Sequence, residues 1–211
     1  MHDMTTMERR VDPVRELFER FRREGSSLIK KAVAEEWQEG PHLDFKTLER
    51  DSAPMTKSDR KTLAEALSGF VNSDVGIIIW GVDARSDGPD DPDSAKEEKP
   101  IAKLNLFLSD LQRLTPQVVS PAIIGVEHLL LEYLPSDKKG YAITFVPKSE
   151  GQPHMARAGK QHTFYFRSGS SFLPHGIVHV GRSIRPKAPA KARIRLANRA
   201  GRNHDWSAYP S

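Results

Sequence analysis

The chain has 211 residues, 37% of them hydrophobic, and a formal net charge of +4 from 32 Lys and Arg against 28 Asp and Glu. It contains no cysteine, which excludes disulfide frameworks and cysteine-held zinc and fits a reducing cytoplasm. No window approaches the ~20 apolar residues of a membrane span, and residues 1–16 lack the apolar core of a signal peptide.

Asp12-Pro13 reads as a helix start, an N-cap acid followed by proline at the first helical position. Val14, Leu17, Phe18 and Phe21 recur at helical spacing, and Gly25 marks the stop. Ser26-Ser27 opens a second helix that carries Leu28, Ile29, Ala32, Val33 and Trp37 on one face, up to Gly40-Pro41. Residues 42–47 alternate as a half-buried strand does: Leu43 and Phe45 on one face, Asp44 and Lys46 on the other. After a loop over 48–57, Thr56 or Ser58 starts a helix to about Phe70, and Val71-Asn72-Ser73-Asp74 reads as a turn. The run Val75–Val82 is apolar on both faces, the pattern of a central strand. On it Ile77, Ile79, Gly81 and Asp83 are expected to share one face.

Residues 84–99 are rich in Asp, Pro and Gly and read as a solvated loop. Ile101, Leu104, Phe107, Leu108 and Leu111 define an amphipathic helix over 101–114. An extended link between Pro116 and Pro121 follows. Ile123–Tyr133 and Tyr141–Val146 read as antiparallel strands joined by the turn 135–140. A loop over 148–161 precedes the strand Thr163–Arg167, closed by Ser168-Gly-Ser-Ser171, with a short helix near Gly176–Ser183. From Arg182 onward eight basic residues face one acid, Asp205, which marks a basic tail over 184–211. The expected fold class is α+β: one mixed, mainly antiparallel sheet covered by helices, with a helical extension over 1–24, a domain over 25–183 and the tail.

Glu39, Asp44 and Lys46 fall within eight residues, at the entry to a strand, and Asp83 closes the next strong one. Converging carboxylates are the donor set that Mg²⁺ or Mn²⁺ takes in phosphodiester cleavage, and a neighbouring lysine stabilises the transition state. The same residues also suit plainer work. Asp83 can start a turn, and Asp44 can pair with Lys46 on an exposed face.

Three patches resemble the Schlafen AlbA-type domain family: Glu39-Gly-Pro-His-Leu-Asp44-Phe-Lys46, Ala66–Asp83 with its Asn72, Gly76 and Gly81, and Phe164-Tyr-Phe-Arg167-Ser-Gly-Ser-Ser171. The family has Glu where this chain has Asp44. The resemblance covers residues 25–180. It implies an AlbA-like fold and a metal-dependent endoribonuclease that acts on structured RNA such as tRNA in phage defence. Glu39, Asp44 and Asp83 would then be the metal ligands, with Lys46 as the fourth catalytic residue. Some bacterial relatives are described only as DNA-binding, so a non-catalytic DNA-binding or regulatory module is the alternative. Lys57, Arg60, Arg167, Arg182 and Arg185 are the expected nucleic-acid contacts, with RNA favoured over DNA. Arg167 is equally suited to stacking on its aromatic neighbours. Family members hold nucleic acid between two lobes, so this single lobe is expected to form a homodimer.

No phosphate-cradling glycine motif is present. His175 and His179 are four apart, but Gly176 stands where a zinc-protease helix has glutamate. Trp37 and Trp80 sit in apolar periodicity and are assigned to the core. Gln152-Pro-His154 is a polar loop in a substrate-facing position by the same resemblance.

Overall fold

A computed structural model describes residues 12–89, 91–133, 138–151, 153–159 and 161–175. The tail with Arg182 and Arg185, the expected helix near 176–183 with His179, and Gln152 lie outside the described residues.

Helix α1 (Pro13–Glu24) starts as its sequence dictates: Asp12 accepts the Val14 N–H at 2.9 Å, and Gly25 ends it at φ 66°. Helix α2 (Ser26–Ala34) is shorter than expected. Glu36 turns the chain at φ 49°, and Gln38 bridges to a distant strand, so Trp37 lies beyond the helix. Strand β1 (Leu43–Lys46) runs parallel to β2 (Gly76–Trp80). Between them α3 (Lys57–Ser73) begins with a capping box of Thr56 and Asp59 and runs through the residues read as a turn, with Asp74 as its C-cap.

The apolar run does not extend to Asp83. Gly81 adopts φ 97°, where an added Cβ would sit 3.0 Å from the Tyr141 ring and 3.1 Å from the Lys99 carbonyl. The chain therefore leaves the sheet, and β3 (Val82–Arg85) pairs with β4 (Ser94–Glu98) in a separate ribbon. Residues 84–85 and 94–98 of the expected 84–99 loop are thus strand, fastened where the Trp37 carbonyl accepts the Ala95 amide at 2.9 Å. Strand β5 (Ile101–Ala102) precedes α4 (Leu104–Leu114), and β6 (Val119–Ser120) occupies the proline-bracketed link. Strands β7 (Glu127–Glu132) and β8 (Lys139–Val146) are antiparallel, as expected. The last loop contains β9 (Met155–Ala158), and β10 (Gln161–Ser168) turns into β11 (Ser171–His175). His175 therefore lies on a strand, not a helix.

The fold is α+β, with three sheets among the described residues rather than one. β1-β2-β8-β5 with β7 form the main sheet, β11-β10-β9-β6 the second, and β3-β4 the ribbon. The side-chain alternation of β2 sorts the core. Ile77 and Ile79 pack with Phe18, Phe21, Leu28 and Ile29 of α1 and α2, while Ile78 and Trp80 pack with α3 and α4. Trp80 is fully buried, its indole N–H bonded to Thr144 at 3.0 Å, which places it in the core as its periodicity implied. Helix α1 thus packs with α2 into the core on one face of the main sheet.

Helix α3 lies between the two larger sheets and is buried from Leu63 to Val71 almost without interruption. Its polar groups fasten the second sheet. Ser68 donates to the His154 carbonyl at 2.7 Å and accepts the Tyr165 N–H at 3.0 Å. Asn72 donates to the His154 and Tyr165 carbonyls and accepts the His154 N–H at 2.7 Å. Gly81→Ala should lower unfolding free energy by about 1–3 kcal/mol, because it forces a Cβ into left-handed backbone between Tyr141 and Lys99. A urea titration measures this, and an unchanged midpoint would show that the Gly81 conformation is not what ends β2.

Candidate functional site: a buried charge cluster and a basic groove

Glu39, Asp44 and Lys46 come together, and the fourth member is Arg167 rather than Asp83. Arg167 arrives from the end of β10, where its amide donates to Ser73 Oγ at 2.7 Å. Its side chain, 1% exposed, reaches under β11 to β1. One guanidinium nitrogen lies 2.8 Å from Asp44 Oδ1 and another 3.5 Å from Glu39 Oε2. The same guanidinium donates to the carbonyls of Gly40 at 3.1 Å and Leu43 at 3.0 Å. Phe172 covers it with its ring centroid at 4.3 Å, and Phe70 lies at 5.2 Å. Phe172 can come this close to α3 because position 69 is glycine: a Cβ there would fall 2.1 Å from the ring.

Lys46 Nζ lies 2.7 Å from Asp44 Oδ2 and 3.9 Å from Glu39 Oε1, and it donates to the Phe45 carbonyl at 3.0 Å. The Asp44 contact is an ion pair without hydrogen-bond alignment, so Oδ2 is a buried oxygen that accepts no hydrogen bond. Asp44 is fully buried, which corrects the expectation of a half-exposed polar face on β1. Glu39 Oε1 accepts the Phe45 N–H at 2.9 Å. Burial, then the negative charge of Asp44, raises the Glu39 carboxyl from 4.5 to about 7, against the opposing pull of Lys46, the Phe45 amide and Arg167.

Asp83 stands elsewhere. On β3 it faces Glu97 across the ribbon and pairs with Arg85 at 2.5 Å. It follows Gly81, where the chain leaves the main sheet one residue after β2 ends. Among the described residues no three His, Asp or Glu side chains are gathered to hold a metal ion. The cluster does not fit a divalent ion either. Its two carboxylates already face two fixed cations, and a dication brought between them would meet like charge at contact distance. Arg167, expected at a nucleic-acid surface, is likewise enclosed, so the stacking alternative describes it.

A second group of cations is exposed. Lys57, Arg60 and Lys61, on the first turns of α3, and Arg157 of β9 line a groove of about 470 Å³. Leu114, Gln117, Val118, Ala158 and Gly159 complete the lining, which includes no acid. The opposite wall is fixed by the Arg157 amide donating to the Val118 carbonyl at 2.7 Å. Lys61 has Glu65 at 3.7 Å on the exposed helix face, a pairing that water largely screens. Tyr165 borders this region, but its hydroxyl donates to Glu65 at 2.9 Å, and burial, then that bond, raises it to about 12. Lys57 and Arg60 were legible as candidates; Lys61 and Arg157 were not, since only the fold of β9 beside α3 brings them together. His154, in the loop expected to face substrate, is buried instead, its ring between the Pro121 carbonyl at 2.7 Å and Ser149 Oγ at 3.0 Å.

Arg167→Met leaves Asp44 and Glu39 without their buried counterion and should cost about 3–5 kcal/mol of stability, whereas Lys46→Met, at a partly exposed position, should cost less. Chemical denaturation of both variants measures the difference, and equal costs would contradict the assignment of Arg167 as the main partner. The raised Glu39 pKa has the opposite sign from an ordinary salt-bridged acid. The folded protein holds this proton more tightly than the unfolded chain, so stability from Glu39 is full below about 4.5 and falls as pH rises to about 7. Glu39→Gln should flatten stability across that interval; an undiminished slope would assign it to another group.

No protein-family model matches the chain, and neither a curated protein nor a solved structure matches it.

Proposed function

We propose that this domain binds nucleic acid through its sugar-phosphate backbone, in the groove formed by α3 and β9. The observation that carries the reading is the convergence of Lys57, Arg60, Lys61 and Arg157 on one cleft with no acid in its lining. Phosphate contacts of this kind supply affinity without reading sequence. The first turns of α3 contribute in the same direction, since a helix N-terminus carries partial positive charge, although the Asp59 carboxylate in the capping box offsets part of it. The Schlafen AlbA-type resemblance supports nucleic-acid handling of the same general kind.

A binding module is favoured over a metal-dependent endoribonuclease by the state of the acids. Asp44 and Glu39 face Arg167 and Lys46, and Asp83 faces Arg85. No cleavage step is therefore assigned to these residues. The four cations address phosphate, which RNA and DNA share, so the proposed binding extends to both.

Fluorescence anisotropy with a labelled RNA hairpin and a labelled DNA duplex, across a salt series, tests this. The logarithm of affinity should fall with the logarithm of salt at a slope of about −0.9 per phosphate neutralised on duplex DNA. Arg60→Glu with Arg157→Glu should weaken binding about tenfold or more and reduce the slope magnitude by about 1 for each phosphate no longer neutralised. Binding indifferent to this double reversal would move the interface elsewhere, and no binding to either probe would end the proposal.

A further inference from the structure

We propose that Ser149 is a nucleophile, activated by His154, that accepts an acyl group from small activated esters. The site lies in the loop between β8 and β9, and the proposal does not rest on nucleic-acid binding in the groove. His154 Nδ1 lies 2.7 Å from the Pro121 carbonyl oxygen, and His154 Nε2 lies 3.0 Å from Ser149 Oγ. A carbonyl can only accept, so Nδ1 carries the hydrogen, and the neutral ring turns its lone pair at Nε2 toward the serine. The Ser149 hydroxyl therefore donates to Nε2. Its oxygen in turn accepts the Gly151 amide at 3.3 Å. Oγ thus has a base for its proton on one side and an N–H on the other, the surroundings that favour a developing alkoxide.

Both partners are held by α3. The His154 amide donates to Asn72, and its carbonyl accepts from Ser68 and Asn72. The Ser149 amide donates to the Val71 carbonyl at 3.4 Å. His154 is 6% exposed, so its ring is shielded from water, whereas Ser149 is only half-buried. A Cβ added at Gly151 would meet only Ser149 Oγ, at 3.7 Å, among the described residues, so the space beside the hydroxyl is open there.

In the transfer, Ser149 Oγ bonds to the ester carbonyl carbon while Nε2 takes the hydroxyl proton. The bond from that carbon to the leaving oxygen then breaks, and the leaving oxygen takes the proton from Nε2. The products are O-acyl-Ser149 and the alcohol, with the imidazole neutral again. The Pro121 carbonyl occupies the place that a carboxylate has in a catalytic triad. Being neutral, it steadies an imidazolium less, which selects esters with a good leaving group over amides.

Exposure to p-nitrophenyl acetate, with the acetyl group located by peptide mass mapping over time, tests the proposal. Ser149 should be acetylated about 100-fold or more faster than Ser109, whose exposed hydroxyl donates to the Asn105 carbonyl at 3.0 Å and so has no base beside it. His154→Gln should bring the Ser149 rate down to that of Ser109, with circular dichroism recorded to show that the variant is folded. If that variant does not fold, the unaltered protein decides the matter in D₂O, where proton transfer to His154 makes acetylation of Ser149 slower than in H₂O. The proposal is overturned if Ser149 reacts no faster than Ser109, in which case its bond to His154 only fastens the loop. It is equally overturned if folded His154→Gln keeps the full rate, or if the rate is the same in D₂O and H₂O.

Discussion

The contact on which the rest of this structure depends is that between the Arg167 guanidinium and the Asp44 carboxylate. Neither group is stable in a protein interior by itself, since a lone buried charge costs several kcal/mol even after relaxation. Each is present because the other is. The two lie on strands of different sheets, 123 residues apart in the chain. Their pairing fixes where the second sheet meets the first, and the fixed carbonyls of Gly40 and Leu43 give the guanidinium its remaining acceptors. The covering rings of Phe172 and Phe70 then determine the path of β11 over α3, which glycine at position 69 permits.

This arrangement explains why the same short stretch supports two readings. Acid, hydrophobe and lysine alternating on a strand are what a metal-dependent phosphodiesterase needs, and equally what a neutralised salt cluster needs. The deciding fact is the identity of the fourth group. Here the fourth group is an arginine, which pairs with both carboxylates. Past Gly81 the chain leaves the main sheet and Asp83 pairs with Arg85, while β10 brings an arginine to Asp44 and Glu39.

Much of this was legible in the sequence where the causes are local. The Asp12-Pro13 start, the Gly25 stop, the Thr56 cap and the doubly apolar run of β2 all follow from nearest neighbours. The β7–β8 pairing and the buried place of Trp80 follow from periodicity. What was not legible depends on partners far away. The residues of β4 are polar enough to pass for loop, and they become a strand because β3 and the segment around Trp37 and Gln38 supply hydrogen bonds. Asn72 and Ser73 look like turn formers, yet they stay helical because their side chains bond strands about 90 positions later. Arg167 was visible as an aromatic-strand cation, but nothing nearby in sequence announces a carboxylate to receive it. The basic groove is a similar case, with Arg157 joining Lys57, Arg60 and Lys61 only after β9 folds back beside α3.

Helix α3 has one more consequence, which follows from its place between two sheets. It gives Leu63, Leu67 and Phe70 to a core shared with the main sheet, while Ser68, Asn72 and Ser73 bond the second. No cut through the molecule separates the sheets without exposing that helix on one side or stripping it on the other. The two sheets therefore melt together, as one cooperative unit, despite having no strand in common.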